Sequence, residues 1–306
     1  MTASLQPTDL TAYLAPAGLL EPLLGELRNV QAVHERLVLA AGAPQSAHWA
    51  QNIWFDPVRI SFSSIKEAAA SLKQLQRNWW PYAYQLHRRT ALIRAQLPHV
   101  AARSLDFPAA SPASSLGSFT LLGPGELLAA ARCASPFPNG EAQFKEFKIG
   151  PPSRAYLKLF EAFTRLGVYP GPGDRCLELG ASPGGWTWVI ARLGAAVVGY
   201  DRAPLDPEVG AMPGVSYVRG DAFQALPAKV GPIDWLCSDV ICYPEKLLAF
   251  VRLWLAAGTC RNFICTLKFQ GTEHYGVIAA FAAIPGSRIM HLHANKHELT
   301  WVLIRD

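Results

Sequence analysis

The sequence predicts an α/β protein, with a mostly parallel, doubly wound, seven-stranded sheet in residues 151–306 and a smaller α+β domain in residues 1–150. Three observations carry that reading. After residue 150, short β-branched runs ending in Gly or Asp alternate with helical stretches, the pattern of a parallel sheet covered on both faces. Before it the pattern is irregular, with a Ser/Pro/Ala-rich passage at Asp106–Gly117, a second loop at Pro136–Gly140 and the break Gly150-Pro-Pro152. The 306 residues are 50% hydrophobic and 17% charged, which excludes disorder, collagen and coiled coil.

In the first domain, amphipathic helices are expected at Gly18–Leu27 and Ser64–Arg94, the second broken at Pro81. Pro57–Phe62 alternates like a strand. In the second domain, strands are expected at Arg175–Gly180, Ala196–Asp201, Val215–Arg219, Ile233–Asp239 and Asn262–Phe269, with helices at Ser153–Arg165, Gly184–Leu193, Glu245–Ala256 and Glu273–Ala283. Two last strands, Ser287–Ala294 and Leu299–Arg305, lack an intervening helix. Joined through Asn295-Lys-His297, they read as an antiparallel hairpin on the sheet edge. A sheet of this kind binds its ligand at the strand carboxyl ends.

No apolar stretch approaches the ~18 residues of a membrane span, and no basic segment followed by an apolar run marks a secretory signal. A cytoplasmic protein without a membrane partner is the default expectation. The six cysteines form no Cys-x-x-Cys pair, and four lie in or beside strand-like apolar runs, so reduced core thiols are expected rather than zinc ligands. His291 and His293 alternate on one strand face and could ligate a metal, but His297-Glu298 is no zincin motif, since no second histidine follows at the right spacing, and no metal is expected.

Arg175-Cys-Leu-Glu-Leu-Gly-Ala-Ser-Pro-Gly-Gly-Trp186 is the most informative segment. An apolar strand ends at Gly180, the chain turns sharply, and a helix opens through Gly184 and Gly185, leaving free N–H groups at a glycine turn. The dinucleotide fingerprint fails because Ser182 stands where its second glycine belongs and Pro183 follows. Asp201 closes the second strand, where a carboxylate suits ribose hydroxyls. Asp221 closes the third, within reach of an adenine amine, and Asp239 closes the fourth. Trp186 and Trp188 read as core and pocket wall.

Gly180-Ala-Ser-Pro-Gly-Gly-Trp-Thr187 resembles the S-adenosylmethionine loop of FtsJ-type RNA 2′-O-methyltransferases. That resemblance implies a Rossmann-like methyltransferase domain and a Lys-Asp-Lys-Glu tetrad, matched by Lys158, Asp239 in Cys237-Ser-Asp-Val240, Lys268 in Cys265-Thr-Leu-Lys268, and Glu298 in Lys296-His-Glu-Leu-Thr300. It also implies that Glu178, Gly180, Ser182, Pro183, Gly184, Gly185, Trp186, Asp201, Asp221 and Asp239 hold S-adenosylmethionine, with Glu178 standing where the family usually has aspartate. Within the superfamily the likeness is greatest to the bacterial group that methylates a cytidine ribose of 23S rRNA, through Pro-Ser-Arg before Lys158 and Trp254-Leu-Ala-Ala-Gly258. It is strong from about residue 145 onward. Before that, Ala15-Pro-Ala-Gly18 and the helix after Ser64 resemble that group's RNA-binding, THUMP-containing half in shortened form.

The tetrad suits the chemistry. A ribose 2′-hydroxyl is a poor nucleophile until its proton leaves, and a lysine serves as base when desolvation and a neighbouring positive charge lower its pKa. Lys268 is the expected base, with Lys158 and Asp239 setting the potential around it and Glu298 orienting by accepting a hydrogen bond. An RNA partner, 23S rRNA or a ribosomal precursor, needs a positive surface. Residues 45–105 carry eight Lys/Arg against Asp56 and Glu67, a local excess of six beside the +5 of the whole chain. Arg59, Lys73, Arg77, Arg88, Arg89 and Arg94, interleaved with Trp79, Trp80, Tyr82 and Tyr84, are the expected RNA contacts. The competing reading is a solvated helix whose aromatics pack on the second domain. Two other functions compete: methyl transfer to a different acceptor, such as tRNA, an mRNA cap or a small hydroxylated molecule, and a non-catalytic RNA-binding protein that retains the fold.

Overall fold

The computed structural model describes residues 4–305. Two compact units emerge, one comprising the residues up to Leu105 with Ser111–Gln143, the other Asp106–Ala110 with the residues from Phe144 on. The division expected at residue 150 therefore moves, and aromatic packing is the reason. Phe107 stacks on Phe160 with ring centroids 4.0 Å apart, and Phe144 meets the same ring edge-on at 5.7 Å. Part of the passage read as a loop thus joins the second unit's core.

The first unit contains two five-stranded sheets. One runs in the order β1 (Ser4–Pro7), β6 (Val58–Ser61), β9 (Glu126–Ala130), β8 (Gly117–Gly123), β7 (Trp79–Pro81). The other runs β10 (Arg132–Cys133), β5 (Asn52–Phe55), β2 (Leu10–Leu14), β4 (Leu37–Ala41), β3 (Val30–His34). Three helices accompany them: α1 (Leu20–Glu26), α2 (Ile65–Leu75) and α3 (His87–Ala95). The period of two along β9 explains the layering. Leu127 and Ala129 enter a core with Leu72 of α2 and Ile93 of α3, while Leu128 and Ala130 enter one with Leu14, Leu39 and Trp54 of the other sheet. Both faces of β9 are buried.

The single broken helix expected over Ser64–Arg94 is corrected to helix, strand, helix. Ser64 caps α2 by accepting from the Glu67 N–H at 3.2 Å, and Glu67 accepts from the Ser63 N–H at 2.7 Å. Beyond Leu75 the chain extends, and Trp79–Pro81 pairs in parallel with Gly117–Phe119. The Trp79 indole donates back to the carbonyls of Leu72 and Gln76, each at 3.0 Å, and locks this strand under α2.

The second unit is a seven-stranded sheet in the order β13 (Val215–Arg219), β12 (Ala196–Asp201), β11 (Arg175–Leu179), β14 (Ile233–Ser238), β15 (Cys260–Lys268), β17 (Glu298–Leu303), β16 (Ser287–Met290). All neighbours are parallel except those of β17, which is antiparallel to both β15 and β16. The closing hairpin does lie at the sheet edge, but its second strand sits inside the first. α4 (Tyr156–Leu166) packs on α5 (Gly185–Arg192) and α8 (Pro244–Ala257) on α9 (Gly276–Ala282), with α6 (Pro207–Gly210) and α7 (Pro227–Val230) as short turns. The crossovers from β11 to β12 and from β14 to β15 run in opposite directions along the sheet. Right-handed crossovers therefore put α5 and α8 on opposite faces and open a crevice where the order reverses, between β11 and β14.

Candidate active site

The carboxyl ends of the parallel strands border a cleft of about 630 Å³ in the second unit. Gly180, Ser182, Pro183, Gly185, Trp186, Asp201, Asp221, Asp239 and Lys268, all anticipated from the sequence, line it, as does Glu178 on its floor. Lys158 and Glu298 do not line it, and of the anticipated glycines neither does Gly184. That glycine caps α5 at φ +121°, and a Cβ there would lie 2.9 Å from the Val209 side chain. The other turn glycines are likewise demanded by protein packing: a Cβ on Gly180 would meet the Val240 backbone at 2.5 Å, and one on Gly185 would meet Ser153 Oγ at 2.5 Å. They let the loop close on its own fold, a different need from the approach to a ligand inferred above.

Lys158, Asp239, Lys268 and Glu298 come from four elements and meet in one ring of alternating charge. Lys158 Nζ lies 3.0 Å from Asp239 Oδ1 and 2.6 Å from Glu298 Oε1. Lys268 Nζ lies 3.0 Å from the same Asp239 oxygen and 3.8 Å from Glu298 Oε2. Register explains the convergence. β17 runs against β15 with Lys268 directly opposite Glu298, so the start of β17 lies at the edge where the parallel strands end. Asp239 follows β14, its N–H donating to the Leu179 carbonyl at 3.2 Å. Lys158 projects from the first turn of α4. That helix is tied to the connection before β17 by Glu161, which accepts from the His293 N–H at 2.7 Å and from Arg165 at 2.8 Å.

The four side chains are not equivalent. Lys158, Asp239 and Glu298 are 10–13% exposed, whereas Lys268 is 22% exposed and faces the cleft. Burial alone would lower the pKa of Lys158, but the two adjacent carboxylates outweigh it and hold the ammonium above its ordinary value. Lys158 is thus a fixed cation. Its two carboxylates share one ring with the exposed lysine, and neither is left as an uncompensated buried charge.

Around the loop, Asp201 accepts from the Ser182 N–H at 3.0 Å and the Ala203 N–H at 2.9 Å, which fixes its carboxylate at the cleft wall. Asp221 caps the following turn through the Phe223 N–H at 3.0 Å and pairs with Arg202 at 3.1 Å; the backbone hydrogen bond holds its pKa below the usual value despite some desolvation. Burial pushes the Glu178 carboxyl well above the ordinary carboxylate range, a rise that the hydrogen bond from Thr187 Oγ1 at 2.5 Å only partly offsets. Glu178 is therefore a buried floor carboxyl whose charged form is disfavoured, tied to α5. Trp186 and Trp188 are buried, and the Trp186 indole donates to the Ala155 carbonyl at 2.9 Å.

The sequence reading missed the segment straight after Asp239, where Ile241 and Tyr243 line the cleft at 80% and 53% exposure, and Gln270 beyond Lys268. Their position just past strand ends was the available signal. His291 and His293 do not share a strand face. Both lie beyond Met290, in the connection to β17, where burial pushes His291 down to about 4 and its Nε2 sits 3.2 Å from the Lys296 carbonyl. Among the described residues no group of three His, Cys, Asp or Glu side chains is placed to hold a metal ion, and no helix is long and apolar enough to cross a membrane.

The expected RNA contacts divide. Lys73, Arg77 and Arg88 stand exposed on the first unit. Arg59 pairs with Glu126 at 2.8 Å, Arg89 lies over the Phe62 ring at 5.5 Å, and the exposed Arg94 lies over Trp80 at 3.8 Å. Trp79 and Tyr82 are core residues of that same unit, which settles their packing without reference to the second domain.

Residues 151–254 match the family model described as FtsJ-like methyltransferase. Three relatives, each named ribosomal RNA large subunit methyltransferase M, align with parts of the chain. The protein from Marinobacter nauticus is 33% identical over 188 residues, covering 56% of this chain and 52% of that one. That from Aromatoleum aromaticum is 32% identical over 167 residues, covering 49% and 45%. That from Halorhodospira halophila is 40% identical over 120 residues, covering 38% and 35%. The chain spans about half, or less, of the length of these relatives.

Proposed function

We propose, from the premise that residues 151–254 form an FtsJ-like methyltransferase domain, that the chain is an S-adenosylmethionine-dependent RNA ribose 2′-O-methyltransferase acting on 23S rRNA. The observation that carries the reading is the Lys158–Asp239–Lys268–Glu298 ring, closed by contacts of 2.6–3.8 Å at the mouth of the strand-end cleft. The names of the three relatives support the rRNA substrate.

The cleft fits the cofactor. Asp201 is fixed at the end of β12 with lone pairs left for ribose hydroxyls, Asp221 stands at the end of β13, and Ala222 and Phe223 offer apolar wall for an adenine. Asp239 lines the same cleft and is held by both lysines of the ring. When bound, S-adenosylmethionine supplies an electrophilic methyl group. The residues of this chain supply position and proton transfer. Lys158 keeps its proton between two carboxylates and fixes the Asp239 orientation. Lys268, the amine that faces the cleft, accepts the 2′-hydroxyl proton on Nζ. Glu298 holds Lys268 in line from across the β15–β17 ladder. Alignment of the reacting atoms contributes much of the acceleration.

The test is transfer of labelled methyl to rRNA and tRNA from cells lacking this protein, followed by mapping of alkali-resistant linkages. One resistant linkage in 23S rRNA is expected. Label confined to tRNA, or to a base rather than a ribose, overturns the reading.

A further inference from the structure

The first unit carries a pocket of its own, about 360 Å³, whose lining includes Asn78, Trp80, His99, Arg103, Ser114 and Glu141. Three features characterise it. Trp80 is half-buried, held by the pairing of β7 with β8, and the Arg94 guanidinium lies over its ring at 3.8 Å without itself lining the pocket. The indole is thus pre-positioned, and stacking a planar group against it immobilises little further side chain. Next, two stretches that contribute to the walls, residues 99–103 and 112–115, lie outside every helix and strand, and their peptide groups enter no backbone–backbone hydrogen bond among the described residues. The side chains of Asn78, His99, Ser114 and Ser115 add polar groups beside the aromatic surface. Finally, charge is asymmetric. Arg103 lines the pocket, Arg94 and the exposed Arg77 flank it in sequence, and the acid Glu141 is engaged by the Gln51 amide at 3.2 Å.

An aromatic surface, polar side chains and an excess of guanidinium together match an unpaired nucleotide: a base has a π-face and a polar edge, and its backbone is anionic. We infer that this pocket takes one unpaired base of the RNA, stacked on Trp80, with adjacent phosphates on Arg94 and Arg103. The inference rests on the RNA reading above and locates a second, non-catalytic contact. Nothing in it involves the tetrad.

The experiment uses the full chain and short single-stranded RNAs carrying 2-aminopurine, whose fluorescence falls on stacking, titrated at several salt concentrations. Wild type should quench the probe, and an RNA duplex should compete poorly. Trp80→Ala should weaken binding roughly 5- to 150-fold, the range for one base–aromatic stack, while Trp80→Phe stays within about threefold of wild type. Arg103→Glu should weaken binding and lower the salt slope by about one. S-adenosylmethionine affinity and thermal midpoint, measured on each variant, separate a lost contact from a lost fold. If Trp80→Ala unfolds, Trp80→Phe and Arg103→Glu still decide. RNA bound with unchanged affinity and slope by Arg103→Glu, with quenching kept in a folded Trp80→Ala, overturns the pocket while leaving the RNA reading intact. Free nucleosides that quench as tightly as the oligonucleotide overturn it in favour of a small-molecule site. Failure of the wild-type chain to bind RNA at all overturns both.

Discussion

In the second unit, four ionisable side chains, none more than 22% exposed, each lie within 4 Å of their two neighbours of opposite sign. In the first, Lys73, Arg77 and Arg88 stand in solvent, and Arg94 rests on an indole. The same residue types thus serve two physical ends. Partly desolvated charges hold a fixed geometry that salt barely screens, and each depends on its neighbours. Exposed charges hold no geometry, respond to salt, and suit a polyanion recognised through its backbone. The difference teaches that charge density along the sequence says little about role; what decides it is which elements bury the charge.

The contrast breaks most readily at Lys268. Lys268→Met should lower single-turnover methyl transfer by about 10²–10⁴ with folding, cofactor binding and RNA binding near normal, since Asp239 keeps Lys158 as its partner. Arginine should not rescue, because its pKa is too high to provide a free base. A residual rate above about a tenth of wild type would leave positioning as the main contribution and pass the proton to Asp239 or water.

Ion-pair energetics sharpen it next. Asp239→Ala leaves two lysines around a single glutamate and should cost about 3–5 kcal/mol of stability by chemical denaturation. Asp56→Ala in the first unit, whose pair with Arg132 is 70–85% exposed, should cost about 0–1 kcal/mol. Equal losses at the two positions would show that burial does not separate the units energetically.

Cofactor binding is a smaller effect. Asp201→Ala should weaken S-adenosylmethionine by about 1–3 kcal/mol in calorimetry, through lost hydroxyl contacts and a loop no longer held at Ser182 and Ala203. Unchanged affinity would remove the β12 end from the binding site. Last, Arg88→Glu should weaken RNA binding and lower the salt slope by about one, leaving S-adenosylmethionine affinity untouched. Arg88 is preferred over Arg89 because Arg89 lies over Phe62 and its loss would confound packing with charge. An unaltered slope would place the RNA path elsewhere.

Much of the second unit was legible in the sequence because its signals are local. β12 and β13 begin and end where the β-branched runs do, each closed by Gly or Asp, and the glycine turn before α5 marks its own helix start. The four tetrad positions were legible by resemblance and by their place at element ends. Their roles were assigned from the resemblance, with Lys268 as base; what the sequence could not supply is the difference in side-chain exposure between Lys158 and the cleft-facing Lys268. The first unit was less legible. Its strands β2, β4 and β9 read LTAYL, LVLAA and ELLAA, apolar on both faces, so they carry no alternation to separate strand from helix.

By itself, then, the sequence determined the α/β alternation after residue 150, the strand-end acids and the turn that opens α5, since periodicity and glycine or proline punctuation act within a few residues. Only the tertiary structure decided that Trp79–Pro81 is a strand, because its partner Gly117–Phe119 lies across an intervening helix and loop. It alone placed Phe107 on Phe160 and so moved the boundary between the units. It alone inserted β17 between β15 and β16, setting Glu298 opposite Lys268. Each of these is a pairing between distant segments, and its free energy comes from burial and register that no local window contains.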